Sequence, residues 1–224
     1  MKKSVFILNI ILSLIVLALD VIYMINDKIW TKSIASIGFV LIALVNFIIL
    51  LKTNKNNLHF AILMLTGLTF AMLGDIFLEI EFIVGAILFA IGHIFYFVAY
   101  TRLVKFNLKD LIYGVCIFIP ASALILFAPI FDYDTVVLKI LCVVYALIIS
   151  IMVGKSVSNF VKEKTSLNLI LMLGSILFMF SDLMLLFSVF GSVPVTGVLC
   201  LATYYPAEII LAYSILHSTK TVIF

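Results

Sequence analysis

The chain has 224 residues, of which 66% are hydrophobic and only 11% charged, with a mean hydropathy of +1.37. That balance excludes an ordinary soluble domain. The formal charge of +3 is thinly spread over the chain and excludes a nucleic-acid groove.

Successive apolar runs of about twenty residues mark membrane-spanning helices. Eight are expected, at 4–25, 33–51, 58–78, 80–101, 109–130, 135–154, 166–189 and 193–216. The first follows Met1-Lys2-Lys3; it is long for a signal-peptide core and has no small-x-small cleavage site, so it reads as a span. It aligns Asn9, Ser13, Asp20 and Tyr23 on one face. The third ends in "TFAMLGDIFLEIEF", with Gly67, Ala71, Gly74 and Leu78 in a stripe and Asp75 at its edge. The fourth lines up Gly85, Phe89, His93, Tyr96 and Tyr100. The seventh carries Ser175, Phe178, Asp182 and Leu185 on one face; the eighth carries Leu201, Tyr204, Tyr205, Glu208 and Ala212, with Pro206 expected to kink it. Short connectors leave no room for a soluble domain. The expected fold is all-α, a single integral membrane domain over 1–224. A β-barrel is excluded because the runs do not alternate.

The blocks around Gly74-Asp75 and Ser181-Asp182 resemble each other and lie four helices apart, which suggests a parallel four-plus-four repeat. Connectors taken alternately collect Lys2, Lys3, Lys52, Lys55, Arg102, Lys105, Lys109, Lys155, Lys162, Lys164 and Lys220 on one side. The other side has Lys28, Lys32 and Lys139 with Asp27, Glu79, Glu81, Asp132 and Asp134. Lys/Arg-rich connectors stay in the cytoplasm, so both termini of this multi-pass chain are expected on the cytoplasmic side of the cell membrane. Cys116, Cys142 and Cys200 lie in apolar spans without metal-ligand spacing and are expected to be buried small residues.

Four acids fall inside the spans: Asp20, Asp75, Asp182 and Glu208. An acid at mid-membrane costs about 2.5–3.5 kcal/mol on insertion scales, so such residues face a bundle interior and mark function. Asp75 and Asp182 sit at similar depth and form the expected catalytic pair. His93 lies deeper, so a direct Asp75–His93 contact is less favoured than Asp75–Asp182 pairing. Three histidines spread over different depths argue against zinc. No nucleotide loop, nucleophile elbow or H-E-x-x-H is present. Intramembrane acids also suit a proton-coupled transporter of a small molecule or lipid. The remaining alternatives are a zinc-dependent amidase-like hydrolase and a non-catalytic assembly factor.

"LGDIFL…FIVGAILFAIGHIFYFVAY" and "FMFSDLMLLFSVF…TYYPAEIILAYSIL" resemble the two signature blocks of the YhhN-like membrane proteins. Thr31-Lys32 resembles the family's T-K-P, with Ser33 in place of proline, and Glu208 stands where a neutral polar residue is expected. The resemblance implies a lysoplasmalogenase, which cleaves the vinyl ether of a lysophospholipid to a fatty aldehyde and a glycerophospho-alcohol. Asp75 and Asp182 then act as acid and base. His93, Tyr96, Tyr204, Tyr205, Glu208, Asp20 and Lys32 orient or bind the substrate. Membrane lipids are the surroundings. No cofactor, metal, nucleic acid or obligate protein partner is implied.

Overall fold

The computed structural model describes residues 3–53 and 57–218. Among them the chain forms eight helices and no strand: α1 (Lys3–Asn26), α2 (Ile29–Thr53), α3 (Leu58–Leu78), α4 (Phe82–Leu103), α5 (Asp110–Phe127), α6 (Val136–Lys162), α7 (Ser166–Val189) and α8 (Pro194–His217). Each is long and apolar enough to cross a membrane, so the chain is a multi-pass membrane protein. A helix suits hydrocarbon because its intrahelical bonds satisfy the backbone without water.

Two boundaries move for one physical reason. α2 begins at Ile29, not 33, and α6 runs to Lys162, not 154. Lys32, Lys155 and Lys162, read as connector residues, are therefore helical. Their charges look like loop signals in sequence, yet each is matched by an acid. Asp110, at the start of α5, is buried and binds Lys155 Nζ at 2.7 Å. It also takes an ion pair from Lys162, a hydrogen bond from the Ser158 hydroxyl at 2.7 Å and one from the Asn107 N–H at 2.9 Å. Asp110 is thus a fifth acid at the edge of the spans. Lys2, Lys55 and Lys220 lie outside the described residues.

Consecutive helices pair as hairpins, and six of them close a ring in the order α2, α3, α4, α6, α7, α8 and back to α2. α1 lies outside against α2 and α8; α5 lies outside against α6 alone among the described residues. The faces turned outward carry large apolar side chains such as Leu14, Ile25, Ile112 and Ile119. The interior holds polar ones. Asn9 Nδ2 donates to Asn46 Oδ1 at 3.0 Å, and Asn46 Nδ2 to the Ala212 carbonyl at 3.1 Å. Tyr100 and Ser175 share a hydrogen bond at 2.8 Å. Where lipid solvates the outside, small and polar residues supply helix–helix affinity. Of the cysteines only Cys200 is buried; Cys142 is half-buried and Cys116 is exposed, because it sits on peripheral α5.

Glycines set the closest approaches. A Cβ on Gly85 would meet the Leu78 backbone N at 2.5 Å, and one on Gly154 would overlap the backbone of Gly114. α5 and α6 therefore touch backbone to backbone at Gly114 and Gly154. Gly154→Leu should lower the midpoint of thermal unfolding in detergent, with a loss of about 1–3 kcal/mol or more from overpacking.

Candidate functional site

The intramembrane polar residues gather into two separate centres. The first joins α1, α2, α3 and α8. Lys32 Nζ lies 3.2 Å from Asp75 Oδ1 and 2.6 Å from Glu79 Oε1. Asp75 Oδ2 accepts from the Ser36 hydroxyl at 2.5 Å and from the Tyr205 hydroxyl at 2.9 Å. Tyr23 donates to Glu79 at 2.8 Å, and its ring lies 5.4 Å from the Lys32 ammonium. Asp20, buried on α1, faces the same group, close enough to interact electrostatically with Asp75 and Lys32. Every oxygen of Asp75 is thereby occupied. At the open edge, partial burial pushes the Glu79 carboxyl up, but the Lys32 ammonium, with hydrogen bonds from Lys32 and Tyr23, holds it below the usual carboxylate range.

The second centre joins α4, α6 and α7. Tyr145 donates to Asp182 Oδ2 at 2.7 Å, and its hydroxyl lies 2.8 Å from His93 Nε2. His93 Nε2 is 3.4 Å from the same carboxylate oxygen. Among the described residues no lysine or arginine joins this group; its partners are a phenol and an imidazole. Among the described residues Asp182 Oδ1 takes no hydrogen bond, and the side chain is 13% exposed while His93 is fully buried.

Asp75 and Asp182 therefore do not touch, and His93 pairs with Asp182. The pairing expected from equal depth fails for a topological reason: α3 and α7 are not neighbours, and α4 and α8 stand between them. Phe89 of α4, Phe178 of α7 and Tyr204 of α8 fill that space, with ring centroids 5.5–5.8 Å apart and edge-to-face. This wall runs from His93, 4.7 Å from Phe178, to Tyr205, 4.9 Å from Tyr204. Tyr204 also donates to the Ala71 carbonyl at 3.3 Å. Tyr96 and Glu208, both fully buried, form a third element, with the phenol donating to Oε2 at 3.0 Å.

Sequence reading missed Tyr145 and Ser36. Both are visible as polar residues in apolar runs, but their roles depend on which helix lies opposite. A cavity of about 470 Å³ opens between α5 and the α3–α4–α6–α7 wall. Leu78, Phe89, Pro120, Met179, Tyr145 and Asp182 are among its lining residues. Among the described residues Asp182 is the one carboxylate on that lining; Asp75 is not part of it. Among the described residues no group of three His, Cys, Asp or Glu side chains is placed to hold a metal ion.

A family model described as the YhhN family matches residues 28–215. The chain belongs to the YhhN family. That match takes in both centres except Asp20 and Tyr23, which precede it. No curated protein and no solved structure matches the chain.

The Lys32–Asp75 pair makes this geometry testable. Lys32→Met leaves a buried carboxylate unmatched and should cost about 3–5 kcal/mol of stability. Adding Asp75→Asn should recover part of that loss. Strictly additive losses in a double-mutant cycle, read by thermal unfolding, would show the two groups to be uncoupled.

Proposed function

We propose that this YhhN-family protein is a membrane hydrolase that cleaves the vinyl ether of lysoplasmalogens, with Asp182, Tyr145 and His93 as its reacting centre. The observation that carries this reading is the position of Asp182. It is the carboxylate on the wall of an apolar cavity, it has an uncommitted oxygen, and it is backed by two proton-carrying side chains. An alkenyl chain suits the cavity's apolar lining.

The chemistry follows from the substrate. Hydrolysis starts when an acid protonates the β-carbon of the C=C–O unit, leaving an oxocarbenium ion. Asp182 in its acid form gives that proton from Oδ1. The resulting carboxylate then faces the cation, as paired acids do in glycoside hydrolysis. The rings of Phe89 and Tyr145 add cation–π stabilisation at the cavity wall. Water adds at the α-carbon while Asp182 takes its proton. The hemiacetal collapses to a fatty aldehyde and a glycerophospho-alcohol. His93 and Tyr145 hold Asp182 in place and pass protons along the 2.8 Å and 2.7 Å hydrogen bonds.

In this reading Asp75 is not the second reacting acid. It anchors α2, α3 and α8, and so places Tyr204 in the aromatic wall and Tyr205 behind it. Tyr96 and Glu208 support α4 behind His93. The basic end of the bundle faces the cytoplasm together with both termini. A second reading, a proton-coupled transporter, draws support from the buried Asp20–Lys32–Asp75–Glu79 group. Solute counterflow in proteoliposomes would favour it.

Purified protein should release fatty aldehyde from lysoplasmenylethanolamine without added metal. Asp182→Asn should lower kcat by about 10²–10⁴-fold, the usual worth of a positioned acid–base group. Tyr145→Phe should lower it less, with unfolding midpoints unchanged. Wild-type turnover in a folded Asp182→Asn protein would overturn the mechanism.

A further inference from the structure

The lining of the cavity stops abruptly at one end. On α5 the last lining residue toward the basic end is Cys116; on α6 it is Ser150. The next contact beyond them is the backbone crossing of Gly114 and Gly154, which no side chain can enter. α5 and α6 thus form a wedge, spread where Pro120, Ala121 and Ala146 line the cavity and shut behind Ser150. Ser150 is buried, and among the described residues no partner takes its hydroxyl. A serine inside a membrane helix ordinarily bonds back to a carbonyl of its own helix. This one does not, as Ser156 and Ser158 nearby do find partners. Among the described residues its hydroxyl bonds to no other helix, and its small volume shapes the cavity. It lies about 7.5 Å along α6 from Tyr145, at about 1.5 Å per residue.

We infer that Ser150 is a specificity-determining residue, the floor that limits the hydrocarbon chain a substrate can bury beyond the Asp182–Tyr145 level. This rests on the cavity being the lysolipid site proposed above. Three features fit: the end is closed by backbone, which cannot move aside as a rotamer can; the lining at that end is apolar apart from the Ser150 hydroxyl and the Cys116 thiol; and the residue at the end is small. Each further methylene buried there gains about fourfold in kcat/KM. The gain stops when the chain tip meets Ser150, because overfilling a packed end is itself unfavourable.

The test uses the full chain in nanodiscs with a competing mixture of straight-chain lysoplasmenylethanolamines, released aldehydes being resolved by mass. Wild type should gain with length up to a cut-off. Ser150→Leu should move the cut-off to shorter chains and Ser150→Gly to longer ones. An unchanged cut-off in both variants overturns the inference. If Ser150→Leu fails to fold, Cys116→Leu, at the same level on α5, replaces it with the same expected direction. A second arm reads occupancy without reaction. Saturated lysophosphatidylethanolamines of graded length should protect Cys116 and Cys142, both on the lining, from N-ethylmaleimide, with a cut-off that shifts in the variants. A shift in protection with no aldehyde from any chain sinks the hydrolase reading and leaves the floor intact. Aldehyde release with an unmoved cut-off does the reverse.

Discussion

A carboxylate inside a hydrocarbon-facing bundle has to be matched, and the matching group decides what that carboxylate can do. At Asp75 and at Asp110 the match is ammonium. Lys32 stands 3.2 Å from the first, and Lys155 2.7 Å from the second, with hydroxyl donors taking what remains. A buried pair of this kind adds little net stability, since desolvation of both charges offsets their attraction. Its effect is specificity: α2 beside α3, or α5 beside α6, is the arrangement that leaves neither Asp75 nor Asp110 unpaired. At Asp182 the match is a phenol and an imidazole, which hold the group in place with no lysine or arginine beside it among the described residues.

That contrast gains force from the order of the helices. Each aspartate sits near the end of the third helix of a group of four. Asp75 on α3 is held by α2 and by α8; Asp182 on α7 is held by α6 and by α4. In both cases one partner comes from the preceding helix and the other from the last helix of the opposite group. The two aspartates thus occupy matching places in the helix order, one inside an ionic group and the other beside a cavity.

How much of this was legible in the sequence depends on range. The eight spans were, because hydropathy is summed over about twenty residues and a few charges do not erase it. The ends of α2 and α6 were not, because Lys32 and Lys155 carry the same letter whether they face water or Asp75 and Asp110. Asp182 and His93 stood out as ionisable groups in apolar runs. Their pairing did not, since similar depth says nothing about which helices are neighbours. Depth alone favoured Asp75 for Asp182; in the bundle α3 and α7 do not meet, and His93 of α4 pairs with Asp182 instead. Tyr145 is the clearest omission. A tyrosine in a span is ordinarily a packing aromatic, and only the opposing carboxylate at 2.7 Å makes it otherwise.

The aromatic wall completes the argument. Phe89, Phe178 and Tyr204 stand between the two acid centres and hold each other edge-to-face. The wall is mechanically continuous as well: Phe178 bears on His93, and Tyr204 on Tyr205, which is bound to Asp75. The ionic anchor can therefore fix the position of His93, and through it Tyr145 and Asp182, without lending any charge to the cavity. Both oxygens of Asp75 are committed to Lys32, Ser36 and Tyr205, so rigidity is its contribution. Asp182 keeps one oxygen free at an apolar surface, where a hydrocarbon-linked double bond can lie against it.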